Sequence, residues 1–371
     1  MILRRPARLA LLAVFPLLAA CGEEAPTSRA VEANSPEAAA AVRMRQSVET
    51  ATFTPPAERP GPDDTSANGQ SEETTASSGR SGVVGDALPD EARPEPAMVR
   101  AQILLDRTRF SPGIVDGLRG ENTRQAIAAF EKANDLPVDG ELDARVFEQL
   151  TSGDGGKVLK DYTITREDVD GPFIGTVPES AEAMARLETV AYTDAREALA
   201  EKFHMSPALL SALNPGVDFG RAGQTIVVAA TGPNALQGDV ARIVVDKQES
   251  SVRVFAVDGR LLAFYPATIG SSETPSPSGT HTVRAVAPRP NYTYDPSMYG
   301  ESGGKLIIPP GPNNPVGSVW IDLSRDGYGI HGTPEPAKIG KTASSGCVRL
   351  TNWDAEQLAG AVEQGVEVRF T

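Results

Sequence analysis

Between residues 22 and 96 the chain offers little with which to build a core. Of these 75 residues, 53 are Gly, Pro, Ser, Thr, Ala or Glu, and only seven are Ile, Leu, Val, Phe, Trp or Tyr. Such a stretch cannot bury enough apolar surface to offset the entropy of ordering it. It reads as a flexible tether with an end-to-end distance of roughly 50 Å. Packed structure is expected only from about residue 97 onward, over a length that suits two or three domains. The formal charge of −14 argues against non-specific nucleic-acid binding, which needs Lys and Arg to neutralise phosphates. Two cysteines, Cys21 and Cys347, are too few for a disulfide framework or a Cys-rich zinc module. Each must therefore be explained singly.

Residues 1–20 read as a secretory segment. Arg4, Arg5 and Arg8 form a basic start, and residues 9–20 are an uncharged apolar run. That run is shorter than the roughly 20 residues needed to span a bilayer. It ends in Leu18-Ala19-Ala20-Cys21, which resembles the lipobox of bacterial lipoproteins. The resemblance implies cleavage before Cys21 and lipidation of that residue. Gly22, where an Asp would suggest inner-membrane retention, favours a periplasmic protein anchored to the outer membrane. An ordinary signal peptide with an incidental Cys is the alternative.

From residue 97 helical spacing sets in. Val99, Ile103 and Leu104 fall within 97–113, and Ala126, Ile127 and Phe130 within 121–133; Val146, Phe147 and Leu150 mark a third short helix. With Gln102, Asp116-Gly117, Gly120, Thr123 and Asp139-Gly140, residues 97–153 resemble the small three-helix peptidoglycan-binding module of cell-wall hydrolases. Glu131 stands where that module usually has Gln. A helical spacer without wall binding is the alternative. After a connector at 154–186, residues 187–230 resemble a small α+β LysM unit. The resemblance rests on Phe203, Leu210, Leu213-Asn214 and Gly223-Gln224, with two helices, a turn at Asn214-Pro215-Gly216 and a β-rich end. The usual Gly-Asp-Thr-Leu opening is absent, so glycan binding and a purely structural role stay open. His204 reads as a packing or surface residue.

Residues 238–371 change to strand patterning, at 243–246, 252–257, 261–269, 280–286, 316–323, 328–331 and 366–370. Asp258-Gly259 suits a tight turn. Thr351 and Asp354 fit a capping box for one helix whose apolar face holds Ala355, Leu358, Ala359 and Val362, with Gly365 as its stop. The expected fold is multidomain, its mainly β last domain a β-sandwich or open barrel carrying a C-terminal helix. His281 in one of its strands reads as packing.

Cys347 lies in Ser344-Ser345-Gly346-Cys347-Val348-Arg349-Leu350, sixteen residues after His331. A thiol left unpaired in an oxidising compartment points to reactivity rather than structure. It attacks as the thiolate, and His331 is the candidate base or ion-pair partner. Gly346 would let the backbone approach closely, and the Gly346 and Cys347 amides could meet a developing oxyanion. Arg349 is placed for a substrate carboxylate, and Tyr328 is a second candidate substrate contact. Three scattered histidines and one available cysteine form no ligand cluster, so no metal or other cofactor is expected.

Together with residues 273–280 (ETPSPSGT), 308–317 (IPPGPNNPVG), 330–333 (IHGT) and 339–340 (IG), this stretch resembles the L,D-transpeptidase (YkuD-type) family over about 130 residues. The family's nucleophile falls on Cys347 and its catalytic His on His331, with a carbonyl near Gly332 orienting the imidazole. Ser344 and Ser345 would support the loop; Ser345 stands where the family commonly has a second His. The resemblance implies attack on the peptidoglycan tetrapeptide stem, release of D-Ala, and transfer of the thioester to an amine. That amine could be a second stem, giving 3→3 cross-links, a free D-amino acid or an envelope lipoprotein's Lys. Carbapenems, as activated acyl donors, typically acylate this family. An L,D-carboxypeptidase or amidase hydrolysing the same thioester, and a non-catalytic wall-tethering lipoprotein, are the competing readings.

Overall fold

The computed structural model describes residues 35–53, 93–153, 156–233, 235–300 and 302–371. The secretory segment, Cys21 and residues 54–92 of the expected tether lie outside them.

The tether reading does not hold over residues 36–50. Ser35 caps a helix, α1 (Pro36–Thr50), by accepting from Ala38 N. Only Ala41 and Val48 of this helix are buried, Val48 completely. Polar side chains dock the rest. Arg45 Nε donates to Leu213 O (2.9 Å), and Arg100 donates to Glu49 O. The Glu49 carboxylate in turn accepts from Val158 N and Leu159 N. Counting apolar residues misses a segment held this way, because charged side chains here satisfy another segment's backbone.

Three helices follow: α2 (Pro96–Arg107), α3 (Glu121–Ala133) and α4 (Ala144–Gly153). The first stops six residues short of the expected 113, because Arg109 turns to φ +66° and Phe110 joins a β-bridge. Gln102 organises the turn between α2 and α3. It accepts from Asp116 N and Gly117 N and donates to Asp116 Oδ1, Leu118 O and Thr123 Oγ1. Glu131 performs the matching task lower down, accepting from Asp139 N and Gly140 N.

The segment expected to be a connector contains strand β1 (Leu159–Thr163), α5 (Arg166–Asp170) and α6 (Ala181–Met184). Strand β1 pairs antiparallel with β2 (Thr225–Ala229) across α7 (Ala195–Lys202) and α8 (Pro207–Leu213). The second unit therefore begins at β1, not at residue 187. Asn214 locks it, donating to Leu210 O and Val227 O and accepting from Val227 N (2.7 Å). One hydrophobic core runs without a break from Val48 through Leu104, Phe130 and Leu150 to Leu210 and Ala229. The helical module and the second unit are thus fused through a shared interior rather than strung on a linker.

The last domain holds β3 (Val240–Asp246), β4 (Ser251–Ala256), β5 (Leu261–Pro266), β6 (Gly279–Pro288), β7 (Tyr292–Tyr294), β8 (Leu306–Ile308), β9 (Val319–Leu323), β10 (Gly329–His331), β11 (Val348–Arg349), α9 (Asn352–Ala359) and β12 (Glu367–Phe370). Eight strands form one mixed sheet in the order β11-β10-β9-β6-β12-β3-β4-β5. Register shifts in β3–β4, β4–β5 and β6–β9 mark the bulges that let it curl. The curl brings its ends together, where Thr268 N donates to Arg349 O (2.9 Å) and Arg349 N to Thr268 O (2.8 Å). The mainly β expectation holds, and the open barrel is closed by this pair together with Ser344 N, which donates to Ile269 O at 2.8 Å. Helix α9 takes its cap from Thr351 as expected but ends at Ala359, with Gly360 as its cap instead of Gly365.

Residues 109–111 cover the edge of β5: Phe264 N donates to Arg109 O and Ser111 N to Phe264 O, both 2.9 Å. Phe264 is fully buried in the N-terminal core, worth about 2 kcal/mol. Helix α9 completes the junction. Trp353 stacks on His204 (5.0 Å), which also contacts Asp106 at 2.8 Å, and Ser111 Oγ donates to Asp354 Oδ2 (2.9 Å). Asn352 Nδ2 donates to Glu201 Oε2 at 3.0 Å.

Burial pushes the Glu201 carboxyl up to about 8, with the Glu197 and Glu356 charges adding to the rise and the Asn352 and Tyr192 hydrogen bonds opposing it. Its folded pKa therefore exceeds its unfolded one. The stability it permits is complete below about pH 4.5 and is lost as pH rises towards 8. Glu201→Gln should raise the thermal midpoint at pH 8 and leave it nearly unchanged at pH 4.5. An equal change at both pH values, read by calorimetry, would contradict the neutral buried carboxyl.

Candidate active site

Parallel pairing of β10 with β11 sets Ile330 beside Val348 and His331 beside Arg349. Cys347, immediately before β11, thereby reaches the cleft that His331 lines. The imidazole of His331 is buried and lies on the face of Trp320, with ring centroids 5.4 Å apart. Its Nδ1–H donates to Gly332 O at 2.6 Å, which leaves the lone pair on Nε2. Burial lowers its pKa to about 4; the Gly332 and Val316 carbonyls oppose this, and the Arg349 charge adds to it.

Cys347 is half-buried, and its Sγ lies 3.6 Å from Gly327 O. Burial pushes the thiol pKa up, against the Gly329 backbone contact and the Arg349 charge, which lower it. The resting pair is accordingly a neutral thiol and a neutral imidazole, not an ion pair. No hydrogen bond joins Sγ to His331 in this resting geometry. Such contacts commonly tighten only when substrate is bound.

The loop before the nucleophile is held from both sides. Ser344 Oγ accepts from Gly346 N (3.1 Å) and donates to Cys347 O. The Gly346 amide is therefore engaged by Ser344, which corrects its expected place in the oxyanion hole. From the opposite side Thr274 Oγ1 donates to Ser344 O (2.9 Å) and Ser276 Oγ to Gly346 O (2.8 Å). Residues 273–280 thus clamp this loop, a role that their sequence alone does not reveal. Ser345 is exposed and lines the cleft. Gly346 sits at φ +109°, and a Cβ there would lie 2.9 Å from Tyr328 Cε1. Tyr328 therefore packs behind the loop, with Arg325 over its ring at 5.1 Å, and is not among the cleft-lining residues.

Gly332 is equally constrained, since a Cβ would fall 2.2 Å from Asn352 Oδ1. That oxygen accepts from both Ser318 N and Thr333 N at 3.1 Å. The sequence does not reveal this function of Asn352, because its partners lie too far away along the chain to leave a local signal.

The cleft measures about 750 Å³. Arg349 lines it and has no ion pair, and its Nε is buried without a partner. Tyr292, Tyr294 and Ile308 from β7 and β8 form one wall. Another comes from outside the barrel: Glu179, Glu182 and Met184, in and beside α6. His281 contacts Phe370 edge-on (5.8 Å) and, like His204, takes the packing role expected of it. A larger groove of about 1040 Å³ lies between α3 and strands β4 and β5, away from Cys347.

Residues 240–369 match the model of the L,D-transpeptidase catalytic domain, and residues 94–150 match that of a "Putative peptidoglycan binding domain". The chain is 32% identical over 179 residues to the "Putative L,D-transpeptidase YkuD" of Bacillus licheniformis, spanning 47% of this chain and 92% of that protein. The protein of the same name in Bacillus subtilis is 30% identical over 177 residues, with the same shares. A solved L,D-transpeptidase from Mycobacterium smegmatis aligns with a TM-score of 0.30 at 24% identity, covering 40% of this chain and 63% of that one. The chain belongs to the L,D-transpeptidase family, an assignment that rests on the sequence matches.

Gly346→Ala must move both its own backbone and the Tyr328 ring. A loss of about 1–3 kcal/mol is expected, together with slower alkylation of Cys347 by iodoacetamide. Unfolding and alkylation rates equal to wild type would show that the loop does not require this conformation.

Proposed function

We propose that this protein is a cell-wall L,D-transpeptidase that works through a Cys347 thioester. The observation that carries the reading is the opening of Cys347, His331 and an unpaired Arg349 onto one cleft, in a chain of this family. Arg349 would take a carboxylate of the tetrapeptide stem. As Sγ attacks the carbonyl of the L-centre of diaminopimelate, His331 Nε2 accepts the thiol proton, so charge develops only when substrate has displaced water. The Cys347 amide faces the oxyanion. The imidazolium then protonates the departing D-Ala amine, and the C–N bond breaks to leave the thioester. An incoming amine loses its proton to His331 as it forms the new amide bond and expels the thiolate.

The acceptor we favour is a second stem's side-chain amine, giving a 3→3 cross-link; a D-amino acid or an envelope lipoprotein's Lys is compatible with the same site. The helical module at 97–153 would hold peptidoglycan near the cleft. Lipidation at Cys21 would keep the protein in the periplasm, anchored to the outer membrane.

Incubation with a carbapenem and intact-mass measurement should give one adduct in wild type and none in Cys347→Ala. An adduct persisting in that variant would sink the nucleophile assignment. With muropeptides, new dimers are expected by HPLC–mass spectrometry, whereas release of tripeptide alone would make the enzyme a hydrolase. With His331 titrating at about 4, the acylation rate should stay level from pH 8 down to about 5 and fall only as pH drops through 4. An acid limb centred at 6.5 or above would contradict the buried neutral imidazole.

A further inference from the structure

The Gly332 carbonyl that orients His331 belongs to a peptide whose other end, Thr333 N, is held by Asn352 Oδ1 at 3.1 Å. The same oxygen holds Ser318 N at 3.1 Å. Two N–H donors on one oxygen fix which way the Asn352 amide points, and its NH2 must then find acceptors. It donates to Pro312 O (3.2 Å) within the catalytic domain and to Glu201 Oε2 (3.0 Å), which belongs to α7 of the N-terminal unit. Glu201 is buried, Tyr192 OH is its second contact at 3.4 Å, and its other oxygen, Oε1, has no partner. A buried carboxyl left half-satisfied calls for an explanation beyond stability, because an apolar side chain would fill the place at less cost.

We infer that Glu201 is a positioning residue for His331. It holds the Asn352 amide, which holds the Gly332–Thr333 peptide, which sets the imidazole's tautomer and angle. The docked N-terminal unit thereby supplies part of the catalytic geometry of a domain it does not belong to. The proposal rests on the reading of His331 as the proton carrier. It goes beyond that reading by placing control of the histidine in another domain.

The test uses the whole chain with Glu201→Leu, which fills the space without an acceptor, and Glu201→Gln, whose amide oxygen can still accept from Asn352. Two quantities are read: the rate of Cys347 acylation by a carbapenem, and the ring nitrogen signals of His331 followed by NMR through a pH titration. Only three histidines are present, which makes the assignment tractable. Glu201→Leu should acylate about tenfold more slowly, a part of the 10²–10⁴ that a positioned acid–base contributes. Its His331 should lose the dominant Nδ1–H tautomer and titrate at a changed pH, while Glu201→Gln restores both to within about twofold of wild type. A folded Glu201→Leu protein with wild-type acylation and an unchanged His331 titration would overturn the proposal. If that variant fails to fold, Glu201→Met takes its place, filling the volume with a more adaptable chain. If wild type itself forms no adduct, the thioester reading fails, and the NMR titration, which needs no reacting thiol, still decides the role of Glu201.

Discussion

One buried amide, that of Asn352, holds together the parts on which the site depends. Its oxygen gathers the Ser318 and Thr333 amides, and its nitrogen reaches Pro312 O and Glu201. Four segments from two domains converge on it, and its contacts with Thr333 and Glu201 are buried. Losing any one partner would leave a buried polar atom unsatisfied, at about 1–3 kcal/mol each. Such a network specifies one arrangement of the loops around β10 much more sharply than apolar packing could. Glycine at 332 is what lets the amide come that close.

Burial also decides how the catalytic pair rests. It disfavours charge on both Cys347 and His331, so each is held neutral for the same physical reason. An ion pair prepared in advance would react with any electrophile or oxidant that diffused in. A neutral pair gains its charges only as the thiol proton moves to the imidazole. The arrangement trades resting reactivity for selectivity.

How much of this was legible in the sequence follows the range of the interactions. Strands β3, β4 and β6 announce themselves through β-branched residues, and Cys347 and His331 through chemistry that few other roles would demand. Helix α1 was hidden because its docking depends on Arg45, Glu49 and Arg100, whose partners are supplied by distant segments. Strand β1 is short and largely exposed and acquires meaning only from β2, more than sixty residues later. Tyr328, a candidate substrate contact in the sequence, is not among the cleft-lining residues. The positive φ of Gly346 instead turns the loop against its ring. The Gly346 amide was assigned to the oxyanion for want of knowing that Ser344 takes it.

The fused N-terminal core changes what the modules can do together. Units joined by a linker would sample many orientations, and a module holding the wall would raise only the local concentration of substrate. Here the helices, the β1–β2 unit and the edge of β5 share one interior, and residues 109–111 extend the barrel's own hydrogen bonding. Any strand gripped by the helical module is therefore presented to the cleft at a fixed distance and angle. Part of the cleft wall, at Glu179, Glu182 and Met184, comes from the segment between β1 and α7, where α6 packs against β8. Altering α6 would thus reshape the cleft without touching Cys347 or His331. Loosening the junction at α9 would disturb recognition and catalysis together.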